Sequence, residues 1–231
     1  MKKYFITFFN LFIFLITINS YAQISIGADI YSRYIWRGID FGNSPSFQPY
    51  ISYQIGGLKI GAWGSYSISN SSSSDYSEND LWASYSYSSD IGTFSAIFTD
   101  YYFPYTNLKY FDYDGSGEGA HTLETGITYS GDDKIPIKFS AYYNFHNDVD
   151  NSIYLQLDLL FSVSTFNFDL FAGASPKKCA WYGTDKFEFI NLGLTATKQI
   201  EITDKFSIPF NISYIINPNI EVSYLIFGIS I

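Results

Sequence analysis

The stretch whose reading decides the fold is Ile24 to Gln54, ISIGADIYSRYIWRGIDFGNSPSFQPYISYQ. In its first half Ile24, Ile26, Ala28, Ile30, Tyr34 and Trp36 alternate with Ser25, Gly27, Asp29, Tyr31, Arg33 and Arg37. A period of two, apolar against mostly polar, belongs to a strand with two unlike faces. After Gly38 to Ser44 the alternation resumes, with Phe47, Pro49, Ile51, Tyr53 and Ile55 against Ser46, Gln48, Tyr50, Ser52 and Gln54. The stretch reads as two long amphipathic strands joined by a polar loop.

Working outward, the same pattern recurs along the chain. It is carried by Leu58 to Ile68, Leu81 to Tyr87, Thr93 to Tyr102, Leu123 to Tyr129, Ile137 to Tyr143 and Ile153 to Phe161. It continues through Phe166 to Ala172, Ile190 to Ala196, Phe206 to Tyr214 and a last segment from Ile220 that is apolar on both faces. About twelve strands result. Their connections alternate between short ones, as at Gly56-Gly57, and longer ones such as Pro104 to Gly119. Most strands reach the roughly 9 to 11 residues that cross a bilayer at a tilt. An even count, tight turns at one end and longer loops at the other are the pattern of outer-membrane barrels.

Composition agrees. Aromatic residues make up 21% of the 231 residues and charged residues 15%, against about 25% charged in an ordinary soluble domain. The deficit requires a surface that does not meet water. Beyond the N-terminus, no uninterrupted apolar run approaches the roughly 20 residues of a spanning helix. The expected fold is all-β: a single transmembrane antiparallel up-and-down barrel of about 12 strands over 23–231, with both termini periplasmic.

The first 22 residues read as a secretory signal peptide: Met1-Lys2-Lys3, an apolar core from Tyr4 to Ile18, and Ser20-Tyr21-Ala22 before the cut. Without Lys2 and Lys3, 11 basic residues remain of the 13, against 22 acidic ones. So acidic a chain is unsuited to nucleic acid, which is bound through clustered Lys and Arg. The single Cys179 has no partner for an internal disulfide or a Cys-rich metal site. No cofactor is expected.

Aromatic residues near strand ends give two belts on the lipid face: Tyr34, Trp36, Tyr66 and Tyr143 at one interface, Tyr53, Tyr85 and Tyr129 at the other. Pro49 and Pro209 each remove a ladder donor, so bulges are expected there.

The alternation assigns Asp29, Arg33, Arg37, Lys59, Asp80, Glu124, Lys138, Asp158 and Asp169 to the inner face. A charge is tolerated in a watery lumen, whereas Lys or Arg at the lipid midplane costs roughly 2 to 4 kcal/mol. Arg33 and Arg37, four apart on one strand, form either a basic ladder for anionic solutes or an ion-pair network with Glu124, Asp158 or Asp169. His121 and His146 fit no metal-ligand spacing, and no catalytic motif is present, so no enzyme is expected. A lipid hydrolase using one of these histidines is the remaining enzymatic alternative. Asp112, Asp114 and Glu118 among glycines are either a solvated loop or a hard-cation loop.

The run Tyr31-Ser32-Arg33-Tyr34-Ile35-Trp36-Arg37-Gly38-Ile39, followed by Pro45-Ser46-Phe47-Gln48, resembles the opening motif of the Gcw_chp or TorF-type porin family, which is largely uncharacterised. Glu78-Asn79-Asp80, Asp100 to Pro104 and Glu124 to Tyr129 are similar to further family positions. Ile231 departs from the terminal aromatic residue common in barrel chains. The resemblance implies a Gram-negative outer-membrane barrel and a pore for small hydrophilic solutes. Its partners would be outer-membrane lipid and the outer-membrane assembly machinery. The alternative is a non-conducting barrel acting through its external loops.

Overall fold

The computed structural model describes residues 22–68, 76–132 and 134–231. The expected leader, all but Ala22, and most of the serine-rich loop lie outside the described residues. Strands β1 (Gln23–Tyr31), β2 (Tyr34–Trp36), β3 (Ile39–Phe41), β4 (Ser46–Ile55), β5 (Leu58–Ser67), β6 (Ser77–Ser89) and β7 (Gly92–Tyr102) come first. A 3-10 turn at Pro104–Thr106 precedes β8 (His121–Ser130), β9 (Ile137–His146), β10 (Ile153–Val163) and β11 (Phe166–Ser175). The chain ends with β12 (Glu188–Thr203), β13 (Phe206–Asn217) and β14 (Val222–Ser230).

Twelve of these strands close into one barrel, in which β1 is followed by β4 through β14 in chain order and β14 returns to β1. Every pairing is antiparallel, and closure runs from Asp29↔Ser230 to Tyr31↔Gly228. Two backbone hydrogen bonds of 2.9 Å between Ala28 and Ile231 extend the seam. Closure leaves no unpaired edge. Because the count is even, Ala22 and Ile231 lie at one rim. That rim also carries the two-residue turns after β4, β6, β10 and β12 and the connection 131–136, and the other carries the connections 32–45, 68–76, 103–120, 147–152 and 176–187 and the short 218–221.

The alternation sorts side chains as a period of two requires. Ile26, Ile51, Ile60, Leu81, Ile127, Leu157, Leu170 and Leu225 face outward and are exposed, Ile26 by 75% and Leu225 by 67%. Ser52, Ser65, Thr99, Glu124, Ser140, Asp158 and Asn191 face inward and are buried. The wall is therefore inverted relative to a water-soluble protein, with apolar atoms outside and polar atoms inside. In β14, whose sequence is apolar on both faces, Ile226 is buried inside while Leu225 and Phe227 are exposed.

Two expectations are corrected. The first strand does not run unbroken to Trp36. It ends at Tyr31, and β2 and β3 form a separate hairpin. The bulges expected at Pro49 and Pro209 are absent. Pairing of β4 with β5 lapses between Phe47↔Tyr66 and Tyr50↔Trp63 but keeps its register, and Pro209 pairs in register with Gln199, beyond the last β13 to β14 pair. Each proline therefore sits where a ladder neighbour is missing, and its lost N–H leaves no gap. Register shifts occur instead at Leu123/Glu124, Gly173/Ala174 and Glu201/Thr203.

Candidate functional site: a hairpin across the lumen

The β2–β3 hairpin turns into the barrel instead of extending its wall. Arg33, just before it, binds the Asp40 carboxylate and the Asn43 side-chain oxygen, which ties the two legs together at their base. At the tip Trp36 pairs with Ile39 across the two-residue turn Arg37-Gly38, both with positive φ, 50° and 80°. Such a turn suits the twist of a hairpin and favours Asn or Gly at its first position. Arginine stands there, held by its side-chain partners. Gly38 has no alternative, because a Cβ would lie 1.9 Å from the carbonyl oxygen of Ile190, and its own carbonyl accepts from Asn217 at 3.1 Å.

The Arg37 guanidinium occupies a fully built socket. Nη1 and Nη2 donate to the two Glu124 oxygens at 2.6 and 2.9 Å, and Nη1 also donates to the Tyr182 hydroxyl at 2.5 Å. The rings of Trp36, Tyr142 and Tyr154 surround it at 4.2, 4.3 and 4.6 Å from their centroids. Tyr101 donates to Glu124 at 2.9 Å, so the carboxylate has three charge-assisted bonds. Burial pushes the Tyr182 hydroxyl up from its ordinary pKa, and Arg37 beside it pulls the other way.

These contacts span the lumen. Tyr34 packs on Trp63 of β5, Trp36 on Tyr101 of β7, Arg37 meets β8, β9 and β10, and Gly38 touches β12 and β13. The connection 176–187 adds a second inward piece. Cys179, Tyr182, Tyr154 and Ile190 form a buried cluster against Trp36, Ile39 and Trp181. The end of the barrel that carries the β2–β3 hairpin thus has a small core of its own.

Below this core the wall is polar. Asn191 donates to the Tyr154 hydroxyl at 2.9 Å, Tyr154 to Gln156, and Gln156 to Asp158 at 2.6 Å. The Tyr154 hydroxyl reaches over Gly173, where any side chain would collide with it. Asp158 and Asp169, on the paired strands β10 and β11, each keep one buried oxygen without a partner. Lys138 stands across from Asp158 in the ladder, and Lys59 lies over the Trp82 ring. A cavity of about 320 Å³ between hairpin and wall is lined by Tyr31, Arg33, Gln48, Thr195 and Asn211, among others.

A different arrangement covers the outer wall near the same rim. The connection 103–120 is pinned there by His121, whose Nδ1 meets Asp100 at 2.7 Å and whose Nε2 meets the Tyr110 carbonyl. The ring is stacked on Tyr113 at 3.9 Å. His146 Nε2 meets the Tyr113 carbonyl at 3.2 Å. Asp112 and Asp114 accept backbone N–H groups of Asp114 and Ser116, which orders the loop. The bond from Ser116 holds the exposed Asp114 carboxyl below the usual carboxylate range.

The structure places the residues singled out from sequence in three groups. Asp29, Lys59, Asp80, Glu124, Lys138, Asp158 and Asp169 lie on strands along the inner wall, while Arg33 and Arg37 leave the wall with the hairpin. The two arginines do not form a ladder, because the strand ends at Tyr31 and each finds an acidic partner, Asp40 and Glu124. Tyr53, Tyr66, Tyr85 and Tyr143 are exposed on the outer wall, with Tyr129 half-buried. Tyr34 and Trp36 are not on that wall. Both are inside the barrel, in the aromatic packing of the hairpin. Sequence reasoning passed over Tyr101, Tyr142, Tyr154, Trp181 and Tyr182. Arg37-Gly38 was the one local signal for an inward turn.

The family model of bacterial proteins of unknown function named Gcw_chp matches residues 17–214. No curated protein matches the chain. A solved structure from work described as "Unveiling the Mechanism Behind the in-meso Crystallization of Membrane Proteins" is similar at 11% identity and a TM-score of 0.47, covering 89% of this chain and 82% of that one.

Proposed function

This chain belongs to the Gcw_chp family, and we propose that it is a bacterial outer-membrane barrel, shut at rest by its β2–β3 hairpin, that passes small hydrophilic solutes when the hairpin is displaced. The observation that carries the reading is the inverted wall, apolar outside and polar inside. An exposed aliphatic surface of this extent suits lipid. A polar lumen suits water and solutes. The leader over 1–22 directs export, the rim with the chain ends faces the periplasm, and the longer connections face outward. The reading assigns no catalytic step; both ring nitrogens of His121 are engaged, by Asp100 and by the Tyr110 carbonyl.

Planar-bilayer conductance tests it, with the refolded chain beside a variant in which residues 33–44 are replaced by a short Gly-Ser linker. The intact chain should show rare, brief steps and the variant steady ones. A variant that folds and inserts yet stays silent would remove the conduction reading. The second reading would then stand, a non-conducting barrel that binds a surface or partner through its loops. It draws on Phe111, 87% exposed on the connection 103–120.

A further inference from the structure

We infer that the inner wall behind the hairpin holds a small hard cation between the carboxylates of Glu78 and Asp80 and the hydroxyl of Ser65. Glu78 and Asp80 lie two apart on β6, both directed inward on the same face of the strand. They are 3% and 8% exposed. Among the described residues neither pairs with a Lys, Arg or His. Tyr76 donates to Glu78 at 2.8 Å, Tyr34 packs on the Tyr76 ring, Tyr101 stands across the ladder from Asp80, and the carboxylates of Asp100 and Glu124 lie close enough to add their negative charge.

Two buried carboxylates without a base cannot both remain charged unless something positive joins them. A shared proton could supply one charge, but it leaves two atoms unexplained. The Ser65 hydroxyl stands directly across the ladder from Glu78, is 1% exposed and has no hydrogen-bond partner. Asp80 Oδ1 is likewise buried and unpartnered. A cation satisfies both. An all-oxygen donor set selects a hard ion. Among the described residues no three His, Cys, Asp or Glu converge as a metal-ligand set, so the ion keeps part of its water shell. That description fits Mg²⁺, which binds through one or two carboxylates and retains waters, better than a caged Ca²⁺. Tyr34 packs on Trp63 and Tyr76 over this spot, so the ion would sit where the hairpin meets the wall.

The inference does not depend on conduction, and it is tested on the folded full chain in detergent. Trp63 pairs across the ladder with Asp80 and can sensitise Tb³⁺ luminescence. The expected result is saturable Tb³⁺ emission excited through tryptophan and displaced by Mg²⁺. It should be weakened about tenfold or more by Glu78→Gln or Asp80→Asn, and measurably by Ser65→Ala, as when a supporting group is removed from a metal site. Ser65→Ala keeps both acids and carries the test if the acid variants do not fold. Absent emission, emission indifferent to all three substitutions, or a protonated-carboxyl infrared band that persists at saturating Mg²⁺ and is lost in Asp80→Asn would overturn it.

Discussion

Arg37 and Glu124 are 87 positions apart in the chain and meet through two hydrogen bonds of 2.6 and 2.9 Å inside the barrel. The side chains are 8% and 2% exposed, so the pair is a buried one. Removing one member of such a pair strands the other, at a cost of about 3–5 kcal/mol, whereas removing both costs less. Arg37→Ala and Glu124→Gln should each lower the urea midpoint of the refolded barrel, and the double variant should fall short of their sum. Strict additivity would mean that the pair does not anchor the hairpin. Arg37→Ala should also raise open probability in bilayers.

Gly38→Ala tests the hairpin tip alone. The new methyl would lie 1.9 Å from the Ile190 carbonyl oxygen, and φ of 80° already disfavours a side chain. The hairpin should withdraw while the wall, which does not depend on it, stays closed. The measurement is protease sensitivity of 32–44 alongside retained heat-modifiable migration. Unchanged protection would show that the tip is loosely held.

The connection 103–120 should come free when His121 is lost. His121→Ala or Asp100→Asn removes the pin between outer wall and loop. Trypsin should then cut after Lys109 faster than in the parent chain, with the barrel intact. Equal rates would assign the holding to the Tyr102 and Asn147 contacts instead.

The outer wall can be challenged directly. Leu157 lies mid-strand on β10 and is 51% exposed. In a bilayer, Leu157→Arg should cost about 2–4 kcal/mol of folding stability. Thr195→Lys, on the inner wall, should cost much less. If both substitutions are equally mild in lipid vesicles, the apolar wall does not face hydrocarbon.

How much was legible in the sequence follows from where each residue's environment is decided. The strands, their number and the short and long connections are local properties, written in the period of two and in turn residues. The facing of Asp158, Glu124 and Lys138 was readable for the same reason. The alternation failed at Tyr34, Trp36, Arg33 and Arg37, because a hairpin leaving the wall keeps a strand-like period while changing what its two faces meet. Ile226 was unreadable too. With apolar residues on both faces of β14, only register against β13 decides which points inward.

The sequence by itself determined an all-β chain with about twelve amphipathic strands and a surface unsuited to water, because alternation, aromatic content and sparse charge act residue by residue. Tertiary structure alone decided that the β2–β3 hairpin turns into the lumen, that Arg37 meets Glu124 and three aromatic rings, and that Ser65 comes to stand beside Glu78. Those outcomes depend on closure, which sets register around the whole ring and brings residues from β5 to β13 within reach of one short hairpin. No spacing along the chain encodes that convergence.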